Sequence, residues 1–225
     1  MAGRTYRELM DAATLNFPFF SGIWQNQGTA AMTMVVAGTP YFARDGQTVG
    51  MRQIGVSGIT SNAVIANPFD VTGVFSVEIV VKLMLLGQYI IYQIQGGGLG
   101  GGWAVYFNGL IAPGTITLLT YTAAGGGARY VTATLPQPVG KLNHIVATID
   151  CVGLTGQIWV DNVPLASAFT NTNPPVIGTS ALFLGTAAAS NMLTERLRGW
   201  AGALDAAEVA ALYNAYSTLT VPSRL

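Results

Sequence analysis

Two strand-like runs joined by a short turn lie between Lys141 and Asn162, and no other stretch restricts the fold as much. Lys-Leu-Asn-His-Ile-Val-Ala-Thr-Ile-Asp150 and Gln157-Ile-Trp-Val-Asp-Asn162 are rich in β-branched and aromatic residues, whose side chains suit a pleated, half-buried surface. The segment from Cys151 to Gly156 supplies the turn residues between them, so the stretch predicts a β-hairpin.

The rest of the chain extends this pattern. Phe75, Val77, Ile79, Val81 and Leu83 alternate with Ser76, Glu78, Val80 and Lys82, the period of a strand with one buried face. Further strands are expected over Tyr89–Ile94, Trp103–Phe107, Thr115–Tyr121 and Arg129–Leu135, with Gly-rich turns between them. Gly28 to Gly50 shows short runs such as Met32–Val36, broken by Gly and Pro, that fit edge strands. Pro164 to Gly178 reads as a loop. Two helices frame the chain. Thr5 and Glu8 form one capping-box pattern before Leu9, Met10, Ala12 and Ala13. Asp205 and Glu208 form another before Val209, Leu212, Tyr213 and Tyr216, which recur at helical spacing.

The central hairpin resembles the signature of laminin-G-like, concanavalin A-like jelly rolls, in which a Trp-x-His-Val-Ala-x-Thr-x-Asp strand leads to Tyr-Val-Asp-Gly. His144, Ala147, Thr148 and Asp150 match the first strand, and Trp159, Val160 and Asp161 the second. Leu142 stands in place of the Trp, and Asn162, which tolerates positive φ, in place of the Gly. The Phe75–Leu83 strand, Ala181–Gly185, Leu197–Leu204 and the closing helix lie in the family's order, so the resemblance covers Pro68 to Tyr216. It implies an all-β antiparallel jelly-roll sandwich with short N-terminal and C-terminal helices. Residues 1–66 then form a helix and edge-strand segment of the same domain, 67–217 the jelly roll with its closing helix, and 218–225 a tail.

Composition narrows the function. Charged residues make up 9% of the chain against a usual ~25%, with apolar types at 51% and mean hydropathy +0.45. So little charge points to a surface partly covered by a partner, and to a homo-oligomer. Ten basic and ten acidic residues cancel, which disfavours nucleic acid and anionic membranes as partners. No apolar run is long enough to span a bilayer, and the first residues lack the apolar core of a secretion signal, so synthesis in the cytoplasm is expected.

Catalytic patterns are sparse. The Glu-x-Asp-x-x-Glu strand of the related glucanases, which sets two carboxylates about 5–5.5 Å apart, is missing. One His, His144, excludes a multi-His zinc site, and no Gly-x-Ser-x-Gly elbow occurs. Cys151, the single Cys, excludes a disulfide framework and reads as an inert thiol. Gly96 to Gly102 lacks the Lys and Ser/Thr of a phosphate loop and precedes a strand, so it reads as a hairpin loop. Gly125 to Gly127 reads as a second loop. Asp45, Asp70 and Asp150 are the only acidic positions to inspect for calcium, which some relatives hold, and they are too few for its six to eight oxygens. Sugar stacking would fall to Trp103, Tyr106, Tyr121 and Tyr130, although most aromatics at strand spacing are core.

No catalytic, cofactor or metal residue is therefore assigned, and the chain is expected to be non-enzymatic. The resemblance to phage-borne members favours a structural protein of a phage virion, a capsid decoration protein contacting the major capsid protein. The alternatives are a lectin-like module binding a glycan, or a tail or fibre component.

Overall fold

A computed structural model describes residues 3–23, 25–30, 32–46, 48–54, 57–61, 73–84, 89–96, 100–107, 114–121, 128–136, 139–170, 182–186 and 191–220. Among the described residues sixteen strands form two sheets of eight, all paired antiparallel. The strands are β1 (Leu15–Phe17), β2 (Met34–Ala37), β3 (Tyr41–Asp45), β4 (Thr48–Ile54), β5 (Ser57–Ser61), β6 (Val74–Leu83), β7 (Tyr89–Gly96) and β8 (Gly100–Phe107), then β9 (Thr115–Tyr121), β10 (Ala128–Thr134), β11 (Leu142–Asp150), β12 (Thr155–Val160), β13 (Val163–Pro164), β14 (Ala168–Thr170), β15 (Leu182–Thr186) and β16 (Asn191–Ala201). One sheet runs β13-β12-β11-β6-β16-β4-β3 with β1 beside β16; the other runs β14-β10-β9-β8-β7-β15-β5-β2.

The expected hairpin is β11 and β12, paired from Ile145↔Val160 to Asp150↔Thr155. A second turn follows at once. Asp161 and Asn162 have φ of 50° and 64°, and β12 folds back onto β13 through Val160↔Val163. Positive φ at both central residues is what a type I′ hairpin turn requires, and Asp and Asn tolerate it better than most residues. Asn162 thus takes the place expected of glycine. The Pro164–Gly178 loop needs correction, because β14 lies within it and pairs with β10. Residues 171–181 are outside those described, as are residues 97–99 of the first glycine run and all of the second. Pairing of Gly96 with Gly100 does close β7 and β8 into a hairpin.

The inner faces of the two sheets supply one core. Ile145, Ala147, Ile149, Ile158 and Val160 meet Trp103, Val105, Leu118 and Val131 in it. Alternation along β6 sends Phe75, Val77, Ile79, Val81 and Leu83 into this core as expected. The other face of β6 does not meet water. Ser76, Glu78 and Val80 are fully buried, because helices α1 (Tyr6–Ala12) and α2 (Ala206–Thr220) belong to a second apolar cluster built on that side of the first sheet. Leu9, Ala13, Val209 and Leu212 pack there with Val146 and Trp200, and the Trp200 indole donates to the Leu9 carbonyl at 2.8 Å. A seven-residue helix is too short to stand alone in water. Its capping box is complete, with the Glu8 N–H donating to Thr5 Oγ1 and the Thr5 N–H to Glu8 Oε2. The Asp205 and Glu208 box is reciprocal too, at 2.9 and 3.0 Å, and Glu208 also accepts from Arg4, so the two helix starts are tied together.

Met32–Val36 was expected to give an edge strand, and β2 is the outermost strand of its sheet, as β3 is of the other. Next to β3, β4 pairs with β16 up to Thr194↔Met51, where the register of β16 against β6 shifts between Thr194 and Arg196, a β-bulge at Glu195. Gly50 lies against it. A Cβ on this residue would collide with the Thr194 carbonyl oxygen and stand 3.0 Å from the Glu195 Cα, both of them backbone. Gly50→Ala is expected to lower stability by about 1–3 kcal/mol, measured by urea denaturation, because the bulge cannot retreat without breaking its ladder.

Candidate functional site

The polar groups that most resemble catalytic machinery lie between the first sheet and the helices. Glu78, His144 and Arg198 come from the adjacent strands β6, β11 and β16, with Arg198 directly opposite Glu78. His144 Nε2 is 2.9 Å from Glu78 Oε1, and Arg198 Nη1 donates to Glu78 Oε2 at 3.1 Å. Arg198 also donates to Asn16 and to the Tyr6 hydroxyl, and the His144 ring stacks on Tyr216 of α2 at 5.4 Å. Burial alone would push the Glu78 carboxyl up; the Arg198 charge, the His144 contact and the Arg196 charge overcome it and hold the group at about 2. Beside them, Arg196 sits over the Phe20 ring at 4.9 Å. None of these three groups is more than 4% exposed, so no solute reaches them. The cluster is structural, in keeping with the satisfied, structural role expected for His144.

An open cleft of about 320 Å³ lies on the same face of the sheet, toward the far end of the hairpin. Thr148 and Asp150 of β11, Thr155, Gly156, Gln157 and Trp159 of β12, and Ala203 just after β16 line it. Strand alternation explains the lining. Ile145, Ala147, Ile149, Ile158 and Val160 face the core, so Thr148, Asp150, Thr155, Gln157 and Trp159 face outward. Trp159 is half-buried, one side packed against the helix cluster. Asp150, Thr148 and Gln157 are held in place by hydrogen bonds. Asp150 Oδ1 accepts the Val152 and Gly153 N–H groups at 2.8 and 2.6 Å. Thr148 Oγ1 is 2.8 Å from Ser76 Oγ, and Gln157 Nε2 donates to the Ile158 and Leu165 carbonyls. Gly156 packs so tightly on β10 that a Cβ would stand 2.7 Å from the Val131 Cβ. One aromatic wall with a few fixed polar groups is the usual make-up of a small-ligand site, and the volume lies at the lower end of the ~300–1,000 Å³ such sites span.

The aromatic residues expected to stack on sugar fare differently. Trp103 is fully buried in the core. Tyr106, Tyr121 and Tyr130 are half-buried on the second sheet, and the Tyr106 and Tyr121 hydroxyls hydrogen-bond to each other. Burial raises both hydroxyls above the ordinary tyrosine range. Asp45 pairs with Lys82 at 2.9 Å, Asp150 is a turn residue, and Asp70 is outside the described residues. Among the described residues no His, Cys, Asp and Glu group is placed to hold a metal ion. Cys151 is buried, which pushes its thiol up from its ordinary value. Sequence reading gave Trp159, Asp150 and Thr148 places in the hairpin signature, weighed Asp150 only for calcium, and missed the cleft they line together. Their signal was the period-two run Thr148-x-Asp150 opposite Thr155-x-Gln157-x-Trp159.

Comparison with known proteins bears on the family and the fold. The family model of the concanavalin A-like lectin/glucanases superfamily matches residues 56–211. Among solved structures, the binding domain of Paraclostridial Mosquitocidal Protein 1 superposes with TM-score 0.73 at 13% identity, over 92% of this chain and 53% of that one. The botulinum neurotoxin serotype G binding domain gives 0.71 at 16%, over 92% and 51%. The serotype D ligand-binding domain, solved in complex with N-acetylneuraminic acid, gives 0.69 at 10%, over 93% and 52%. The chain spans about half the length of these structures. No curated protein matches its sequence.

The sealed cluster gives a pH dependence with a definite sign. The Glu78 carboxyl is held below its unfolded value, so its contribution is present above about pH 4.5 and is lost as pH falls toward 2. Glu78→Gln should remove that part of the acid sensitivity and, by leaving the Arg198 charge buried without its partner, cost about 3–5 kcal/mol near neutral pH. Chemical denaturation of both proteins from pH 7 to pH 2 checks both effects.

Proposed function

We propose that this chain, which belongs to the concanavalin A-like lectin/glucanase superfamily, is a non-catalytic binding module that takes glycans in the cleft beside Trp159. The observation that carries the reading is the cleft itself, a half-exposed indole facing fixed hydroxyl, amide and carboxylate groups on one rigid hairpin. Sugar rings present C–H faces that lie on an aromatic plane and hydroxyls around their edge, and the cleft offers a partner for each. Similar structures include toxin binding domains, one solved with N-acetylneuraminic acid, which supports a lectin-like role above the capsid decoration role that low charge had suggested. Nothing in these comparisons favours a virion location or a capsid partner.

One observation keeps a second reading, a structural role through self-association. The outermost strands β2 and β3 expose Val35, Val36 and Tyr41, each 44–50% accessible, at the margins of the two sheets. A second copy of the chain pairing at this edge would produce an oligomer that resists dilution in light scattering; a monomer at all concentrations would remove the reading.

The glycan-binding reading is tested by an oligosaccharide screen followed by titration calorimetry of the hits. Trp159→Ala should weaken binding at least tenfold, about 1.4 kcal/mol, while the folded circular dichroism signal is kept. Equal binding by Trp159→Ala and the parent chain would move the site elsewhere.

A further inference from the structure

We infer that the cleft selects neutral glycans with free neighbouring hydroxyls and turns away sialylated, uronic and sulfated ones, an inference that rests on the glycan-binding reading above. Most proton donors in the lining are already engaged within the protein. Ser76 Oγ donates to the Gly202 carbonyl at 2.9 Å and accepts the Leu204 N–H at 3.0 Å. Its only proton is thereby used, so in the 2.8 Å contact between the two hydroxyls Thr148 is the donor. Thr148 Oγ1 is left with lone pairs. Gln157 is in the same position: its amide nitrogen donates to the Ile158 and Leu165 carbonyls at 2.8 and 2.7 Å, which leaves the amide oxygen for a ligand. Asp150 spends Oδ1 on two turn N–H groups, and Oδ2 lies over Gly153, 2.6 Å from where a Cβ would stand. The missing side chain makes room for that oxygen.

Three of the polar groups lining the cleft therefore offer acceptors. The remaining side-chain donors in the lining, the Thr155 hydroxyl and the Trp159 indole N–H, carry no charge. Among the described residues no Lys or Arg lines the cleft. Arg129 reaches the neighbouring turn from the opposite sheet, where its guanidinium donates to the Cys151 carbonyl, and Lys141, at the other end of β11, pairs with Asp161 at 2.5 Å. A sugar hydroxyl pair donates into such a site. A sugar carboxylate or sulfate, which only accepts, would meet the Asp150 carboxylate at close range with no cation in the lining to bind it, and like charges repel more strongly where water is partly excluded.

The test titrates the full chain against matched probes, lactose with sialyllactose and a neutral disaccharide series with its uronic and sulfated counterparts. Each neutral glycan that binds is expected to do so at least tenfold more tightly than its acidic counterpart. Asp150→Asn keeps an Oδ1 acceptor for the turn and should narrow that gap at least threefold. A measurement on the unaltered chain stands beside this variant: added salt should strengthen residual binding of the acidic probes and leave the neutral ones unchanged. Acidic probes that bind as tightly as their neutral partners, or more weakly as salt is added, overturn the inference and leave glycan binding standing. Failure of every neutral and acidic probe overturns the glycan-binding reading itself.

Discussion

The contact on which the rest of the first sheet depends is Glu78 held between Arg198 and His144. It joins the side chains of β6, β11 and β16 across one face, in a place where the helices exclude water. Buried charges of this kind cost several kcal/mol to desolvate, so their value lies less in net stability than in the arrangements they forbid. A one-residue slip of β11 against β6 would turn His144 into the apolar core and leave Glu78 without it. Register along β11 is fixed in this way, and with it the places of Thr148 and Asp150, four and six residues further along the same face. The candidate cleft is thus an outward continuation of the sealed cluster, built by the same alternation.

That continuity explains why the fold was legible and the site was not. His144, Trp159, Asp161 and the two capping boxes carry local geometry in their residue types: β-branched runs for strands, Asp and Asn for a turn with positive φ, reciprocal side-chain caps for helix starts. Local rules suffice for such features. Burial of the second face of β6 was not legible, because alternation shows which residues share a face and says nothing about what covers it. Ser76 and Glu78 read as solvent-facing until α1 and α2, far apart in sequence, are seen packed over them. Short β14 was lost inside a Pro- and Asn-rich stretch for a similar reason, since its pairing with β10 is long-range. The stacking aromatics were sought beside the glycine runs, whereas the one that walls the cleft, Trp159, had already been given a role in the hairpin signature.

Low charge takes on a different meaning once the side chains are placed. Glu78, Glu195, Arg196, Arg198 and Glu208 are all buried, so the surface is poorer in charge than the composition alone suggests. Charge has been spent inside the fold, fixing the sheet to its helices. A weakly charged exterior with a short, acceptor-lined cleft suits recognition by stacking and hydrogen bonding, where the aromatic plane sets the orientation and the polar rim sets the selection. The sealed Glu78 cluster supplies rigidity to that cleft without touching a ligand, and a preformed site loses less entropy on binding.

Amide chemical-shift mapping of the intact chain during titration with a neutral oligosaccharide would test the central claim most directly. The account predicts perturbations concentrated on Thr148, Asp150, Thr155, Gly156, Gln157 and the Trp159 indole, with the His144 and Arg198 amides little changed. Perturbations centred on Tyr106, Tyr121 and Tyr130 of the opposite sheet would contradict it.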